Sequence, residues 1–139
     1  DEDGLHLTLT TGGSGNQTYT LTDQMGNKSY FDGAGRLCKM ENNQQTKSNI
    51  FITYTTTTGK LVNTITDGVG RVYQFHYTAG LLDKISYMGA GNTELTYVLY
   101  TYDADAQLIG IEDKKPSETS EAFITTYEYD DKYHGRYQI

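Results

Sequence analysis

One short unit recurs along the chain and constrains the fold more than any other feature. It is an aromatic residue or Thr, then Asp, two variable residues, Gly, a basic or polar residue, and an aliphatic residue. The fullest copies are Phe31-Asp32-Gly33-Ala34-Gly35-Arg36-Leu37 and Thr66-Asp67-Gly68-Val69-Gly70-Arg71-Val72. Thr22-Asp23-Gln24-Met25-Gly26-Asn27 is an earlier copy, and Tyr102-Asp103-Ala104-Asp105-Ala106-Gln107-Leu108 a later one with Ala in place of Gly. Weaker copies end at Gly59-Lys60-Leu61 and Gly80-Leu81-Leu82, and Tyr129-Asp130-Asp131-Lys132 begins another and departs. An Asp at the first corner can hydrogen-bond backbone two residues on. A Gly later in the unit supplies a positive φ at no steric cost. Asp-x-x-Gly between apolar runs therefore predicts a tight turn joining antiparallel strands.

The runs between these turns read as strands. In Arg71 to Tyr77, Tyr73, Phe75 and Tyr77 share one face, and Val72, Gln74 and His76 the other. Asn49 to Tyr54 alternates in the same way. Glu94 to Tyr102 carries bulk on both faces, Leu95, Tyr97 and Leu99 against Val98, Tyr100 and Tyr102, which predicts cover on both sides. After several turns an aliphatic residue is followed by another three positions on: Leu37 and Met40, Leu82 and Ile85, Leu108 and Ile111. A regular strand puts such a pair on opposite faces. A β-bulge is the reading that keeps each pair together.

No window has sustained helical periodicity. Gly12 to Gln17, Asn42 to Lys47 and Asp113 to Glu121, with the single Pro116, read as loops. The expectation is one module over residues 1–139, all-β, of roughly ten short strands in antiparallel hairpin repeats that form a twisted continuous sheet. Composition agrees: 13 of the residues are Tyr and there is no Trp. Tyr and Thr both suit a half-buried pleated surface.

A net charge of −7 argues against nucleic acid, whose phosphates call for a basic stripe. No apolar run approaches the roughly 20 residues of a membrane helix, so no membrane insertion is expected. Cys38, the only cysteine, can form no internal disulfide and reads as a small buried hydrophobe. His6, His76 and His134 lie too far apart for the local ligand pairs of a zinc site. Asp1-Glu2-Asp3, Asp103 with Asp105, and Asp130-Asp131 read as turn caps and solvated acids, not a calcium loop. There is no nucleophile elbow or phosphate-binding loop, and no cofactor or enzymatic activity is expected. The chain starts at Asp1 and ends at Tyr137-Gln138-Ile139, and both ends read as cuts through something longer.

The series Gly59-Lys60-Leu61, Ile65, Asp67, Gly70-Arg71, Phe75, Tyr77, Gly80, Leu82, Ile85 resembles the tyrosine–aspartate (YD, or RHS) repeat pattern, as does Tyr30-Phe31-Asp32 leading to Gly35-Arg36-Leu37. The opening Asp1-Glu2-Asp3-Gly4-Leu5-His6-Leu7-Thr8-Leu9 is similar to the segment ahead of the repeats in bacterial wall-associated RHS proteins. The resemblance implies an extracellular or cell-wall-associated parent whose repeats form a β-shell around, or presenting, a variable C-terminal toxin. It also implies a structural role for the repeat residues Asp23, Gly26, Asp32, Gly35, Arg36, Gly59, Asp67, Gly70, Arg71, Gly80 and Asp103, with neighbouring repeats as partners. A second reading uses the aromatic rows. Tyr73, Phe75, Tyr97 and Tyr100 could stack on a cell-wall polysaccharide or meet a surface receptor. A sheet cut from an array would also offer edge strands for self-association.

Overall fold

The computed structural model describes residues 8–12, 16–45, 48–56, 59–89, 93–114, 122–129 and 137–138, with Thr96, Tyr97, Tyr137 and Gln138 described by backbone alone. Parts of the loops read at 12–17, 42–47 and 113–121, and the charged runs at 1–3 and 130–131, lie outside these residues. The chain is all-β, an antiparallel array of hairpins, and divides into two compact units, Asp1–Val72 and Tyr73–Ile139.

The first unit holds β1 (Thr8–Thr11), β2 (Tyr19–Thr22), β3 (Lys28–Phe31), β4 (Leu37–Glu41), β5 (Ile50–Tyr54) and β6 (Val62–Thr66), each paired antiparallel with the next. Residues directly opposite each other share a face, so the register sorts the side chains. Leu9, Leu21, Met40 and Ile50 fall on one face with Tyr19, Phe31, Leu37, Ile52 and Ile65. Thr8, Thr10, Thr20, Thr22, Thr64 and Thr66 fall on the other, with Lys28, Lys39 and Glu41. The sheet is apolar on one side and hydroxyl-rich and charged on the opposite side.

The second unit starts with β7 (Val72–Thr78), whose first residue belongs to the preceding unit, and continues with β8 (Leu81–Met88), β9 (Glu94–Tyr102), β10 (Leu108–Asp113) and β11 (Phe123–Thr126). Each again pairs with the next, and a separate short pair joins β12 (Glu128–Tyr129) to β13 (Tyr137–Gln138). Its apolar face carries Tyr73, Phe75, Tyr77, Leu82, Ile85, Val98, Tyr100, Tyr102, Leu108 and Ile111. Gln74, His76, Lys84, Ser86, Glu94 and Glu112 take the opposite face. The alternation expected for Tyr73, Phe75 and Tyr77 is observed.

The three-residue spacing of aliphatics has its explanation in the register. Phe31 faces Leu37 but Tyr30 faces Lys39, so Cys38 is an extra residue. Asn63, Asp83 and Ile109 are the extra residues after the next hairpins. Each slip of one residue returns Leu37 and Met40, Leu82 and Ile85, and Leu108 and Ile111 to a shared face. A further slip in β9 corrects the face expected for Leu95, while Leu99 keeps the opposite face with Lys84 and Glu112. Ile85 faces Val98 while Ser86 faces Thr96, which puts Leu95 on the same face as Val98, Tyr100 and Tyr102.

Among the described residues, the extensive contacts between strands run between neighbours in sequence. Among the described residues only Cys38, Asp32 and Ser86 are buried. Every tyrosine whose side chain is described is half-buried. Stability therefore rests on strand pairing, cross-strand side-chain pairs of about 0.2–1 kcal/mol each, and the turns. The terminal strands of the array are exposed along their length, with Leu9 on β1 63% and Ile124 on β11 67% accessible. Among the described residues no helix is long and apolar enough to cross a membrane.

Candidate functional site: turn boxes and a tyrosine latch

Four of the turns are the same object. At Asp32, Oδ1 accepts hydrogen bonds from the amides of Ala34 and Arg36, both at 2.9 Å. Its carbonyl accepts from Gly35 N and its own amide donates to the Arg36 carbonyl, closing the hairpin. Asp23 does the same with Met25, Asn27 and Gly26. Asp67 does so with Val69, Arg71 and Gly70, and Asp103 with Asp105, Gln107 and Ala106. The last corner needs a positive φ, found at Gly26, Gly35 and Gly70 (80°, 77° and 87°) and at Ala106 (63°). Gly35 and Gly70 have open space where a Cβ would stand, so glycine is needed there for backbone conformation alone.

In three of the boxes the residue four on from Asp adds a bond from its side chain. Asn27 Nδ2 donates to Asp23 Oδ2 at 2.8 Å; Arg36 Nε and Arg71 Nε donate to Asp32 and Asp67 Oδ2 at 2.8 and 2.7 Å. Arg36 and Asn27 also reach the next loop. Arg36 Nη1 donates to the carbonyls of Thr56 and Gly59, and its guanidinium lies 4.3 Å from the centre of the Tyr54 ring. Asn27 Oδ1 accepts from the amide of Asn43, whose Nδ2 donates to the Met25 carbonyl. Hydrogen bonding by Asn27 holds the Asp23 carboxyl below its ordinary range. At Asp32 and Asp67 burial pushes upward, but the bonds from Arg36 and Arg71 and from the turn amides outweigh it and keep both carboxyls low.

Two expected copies are different objects. Gly80 does not close an Asp box. Thr78 pairs directly with Leu81, and Ala79 and Gly80 both have positive φ (52° and 83°), a two-residue turn of type I′. Gly59 has no positive φ. A Cβ there would meet Thr56 Oγ1 at 2.5 Å, so it is glycine for close approach.

A second recurrent element escaped the sequence reading. Tyr54 Oη donates to the Leu37 carbonyl at 2.8 Å, Tyr102 Oη to Leu82 at 2.8 Å, and Tyr129 Oη to Leu108 at 2.6 Å. Each acceptor is the aliphatic residue just before the extra residue of a bulge, where the ladder is broken. Each donor ends a strand a hairpin later. The available signal was the Tyr-Asp dipeptide at Tyr102-Asp103 and Tyr129-Asp130.

Of the proposed stacking residues, Tyr73, Phe75 and Tyr100 share the apolar face, and the Tyr97 side chain lies outside the described residues. Tyr73 packs on Tyr87 with ring centres 6.1 Å apart, and burial pushes the Tyr100 hydroxyl pKa up. On the polar face Lys39 sits over Tyr30 and Phe51 and pairs with Glu41. Tyr30 donates its proton to Glu41 at 2.5 Å, which drives the phenol pKa up to about 12. Cys38 Sγ is 3.3 Å from the Tyr30 carbonyl, and burial above all raises its pKa. That is the behaviour of an inert buried thiol.

One cluster has the residue types of a nucleophilic triad. His76 Nε2 lies 2.8 Å from Ser86 Oγ and 3.1 Å from Glu94 Oε1, and Lys84 Nζ is 2.7 Å from the same Glu94 oxygen. A triad needs serine and carboxylate on opposite ring nitrogens. Here both meet Nε2 and Ser86 is fully enclosed, so the cluster is a clasp across β7, β8 and β9. Lys84 chiefly, with Ser86, keeps the Glu94 carboxyl low. Among the described residues no three His, Cys, Asp or Glu side chains come together to hold a metal ion.

No protein-family model matches the chain. No curated protein is detectably similar to it.

Proposed function

We propose that the chain is a structural repeat module of a large extracellular or cell-wall-associated protein of the YD/RHS-repeat type, and that its sheet forms part of a β-shell enclosing or presenting a C-terminal, toxin-like domain. The observation that carries this reading is the recurrence of one turn box at Asp23, Asp32, Asp67 and Asp103, joined by one tyrosine latch at Tyr54, Tyr102 and Tyr129. Repetition of a structural unit, with its main contacts to neighbouring units, is how quasi-linear arrays are built. The chemistry is steric and mechanical: Asp and a left-handed corner set the four boxed turns, and the tyrosines tie one hairpin to the next. The apolar faces support the same reading, since a wall can turn one face away from water.

A second reading is favoured by one observation, the grouping of Tyr73, Phe75 and Tyr100 on a single half-exposed face. Those rings could stack on sugar units of a cell-wall polysaccharide or meet a surface receptor. Binding of the purified chain to a glycan panel and to intact bacterial walls, with a Tyr73→Ala/Tyr100→Ala variant as control, separates the two. Saturable binding lost in a variant that still melts cooperatively replaces the wall reading with surface recognition. No binding, together with a loss of stability in the variant, is the outcome expected of a wall.

A further inference from the structure

Two of the turn boxes contain the same reactive dipeptide, Asp32-Gly33 and Asp67-Gly68. Before Gly there is no side chain to hinder the following amide, and the chain samples conformations closed to other residues. The Gly nitrogen can then attack the Asp side-chain carbonyl carbon. The N–Cγ bond forms, the Cγ–OH bond breaks, and the carboxyl hydroxyl leaves with the amide proton as water. The resulting five-membered succinimide takes a water back at either carbonyl. It returns aspartate or gives isoaspartate, with the backbone rerouted through Cγ and no oxidant or partner consumed.

We propose that Asp67-Gly68 is a site of spontaneous isoaspartate formation in the folded protein, and that the chemically identical Asp32-Gly33 is shielded from it. The two carboxylates make equivalent bonds to turn amides. They differ in how far the clamp and its carboxylate are exposed to water. The Arg36 side chain is 17% exposed, stacks on Tyr54 and donates to the Thr56 and Gly59 carbonyls, and the Asp32 side chain is 9% exposed. The Arg71 side chain is 62% exposed and that of Asp67 23%, beside Val69 at 69%. Reaction requires the carboxylate to leave its clamp, gain a proton and swing over the Gly amide. Water reaches the more exposed pair, Asp67 and Arg71, more readily than the enclosed pair, and permits that excursion there more often. The product inserts a methylene into the backbone and shortens the side chain, so the bonds to Val69 and Arg71 are lost and the box opens.

The test is ageing of the intact chain at neutral pH and moderate warmth, with peptide mapping and enzymatic methyl labelling of isoaspartate. Unfolded chain in urea is aged in parallel. In urea the two sites should react at similar rates. In the folded chain Asp67 should exceed Asp32 several-fold, Gly68→Ala should suppress the Asp67 signal, and Arg36→Ala should raise Asp32 towards Asp67. Equal rates at the two sites in the folded chain, or a faster Asp32, overturn the proposal. That comparison needs only the wild-type chain and stands even if the Arg36 variant does not fold.

Discussion

The hydroxyl of Tyr102 donates to the carbonyl of Leu82, 2.8 Å away and 20 residues back in the chain. Leu82 stands at a bulge, where Asp83 interrupts the pairing of β7 with β8. Deleting a hydroxyl that serves a part-buried carbonyl costs about 1 kcal/mol, more where water cannot replace it. Tyr102→Phe should lower unfolding stability by about that amount in urea titrations while keeping its ring packing. A variant as stable as wild type would show that solvent already satisfies the carbonyl.

The left-handed corners separate conformational strain from packing. Gly70→Ala meets nothing within 4 Å, so its cost of about 1 kcal/mol is backbone alone. Gly26→Ala should cost more, because its Cβ would stand 2.8 Å from Asn43 Nδ2, which holds the Met25 carbonyl. Ala106→Gly should stabilise slightly, about 0.5 kcal/mol, as relief of strain at φ 63° exceeds the entropy of the added freedom. Thermal melts should place Ala106→Gly highest, Gly70→Ala next and Gly26→Ala lowest, and a destabilised Ala106→Gly would contradict it.

Acid should act through the turn carboxylates. The folded pKa values of Asp23, Asp32 and Asp67 are depressed. Their contribution is therefore fully present above the unfolded value of about 3.9 and is lost as pH falls through the lower folded values. Asp32→Asn should be less stable than wild type at neutral pH, and the gap should narrow as pH falls below the unfolded value of about 3.9. A gap that stays constant with pH would mean the charge of Asp32 contributes nothing.

Tyr30 gives the opposite sign. Its folded pKa is raised to about 12 by the bond to Glu41, so its contribution is present below the unfolded value of about 10 and lost as pH rises through the folded one. Ultraviolet titration should find one phenol ionising well after the others, and Glu41→Gln should bring it back towards them. A late phenol that persists in Glu41→Gln would point to burial instead.

The hairpins were legible because each box is local: Asp, the turn amides and Gly lie within five residues, so spacing alone specifies them. The bulges were legible too, from apolar pairs such as Leu37 and Met40 that no regular strand keeps on one side. What stayed hidden depends on partners brought in by register. Tyr54 and Leu37 meet only because β4 and β5 pair as they do, and nothing near either residue announces it. The β9 slip at Tyr97 reversed a face assignment, since alternation counts residues and a bulge removes one from the count. Gly80 was misread because Ala79 adopts a positive φ that its residue type disfavours. His76, Ser86 and Glu94 come from three strands and carry no common pattern.

Pairing of each strand with its sequence neighbour has a historical consequence. Within either unit, two strands and their turn could be duplicated or deleted as a cassette without changing which residues face which elsewhere. The latch brings its donor and acceptor from one hairpin to the next, so a duplicated cassette arrives with its own attachment point. A lineage of such chains would vary in length far more readily than in cross-section.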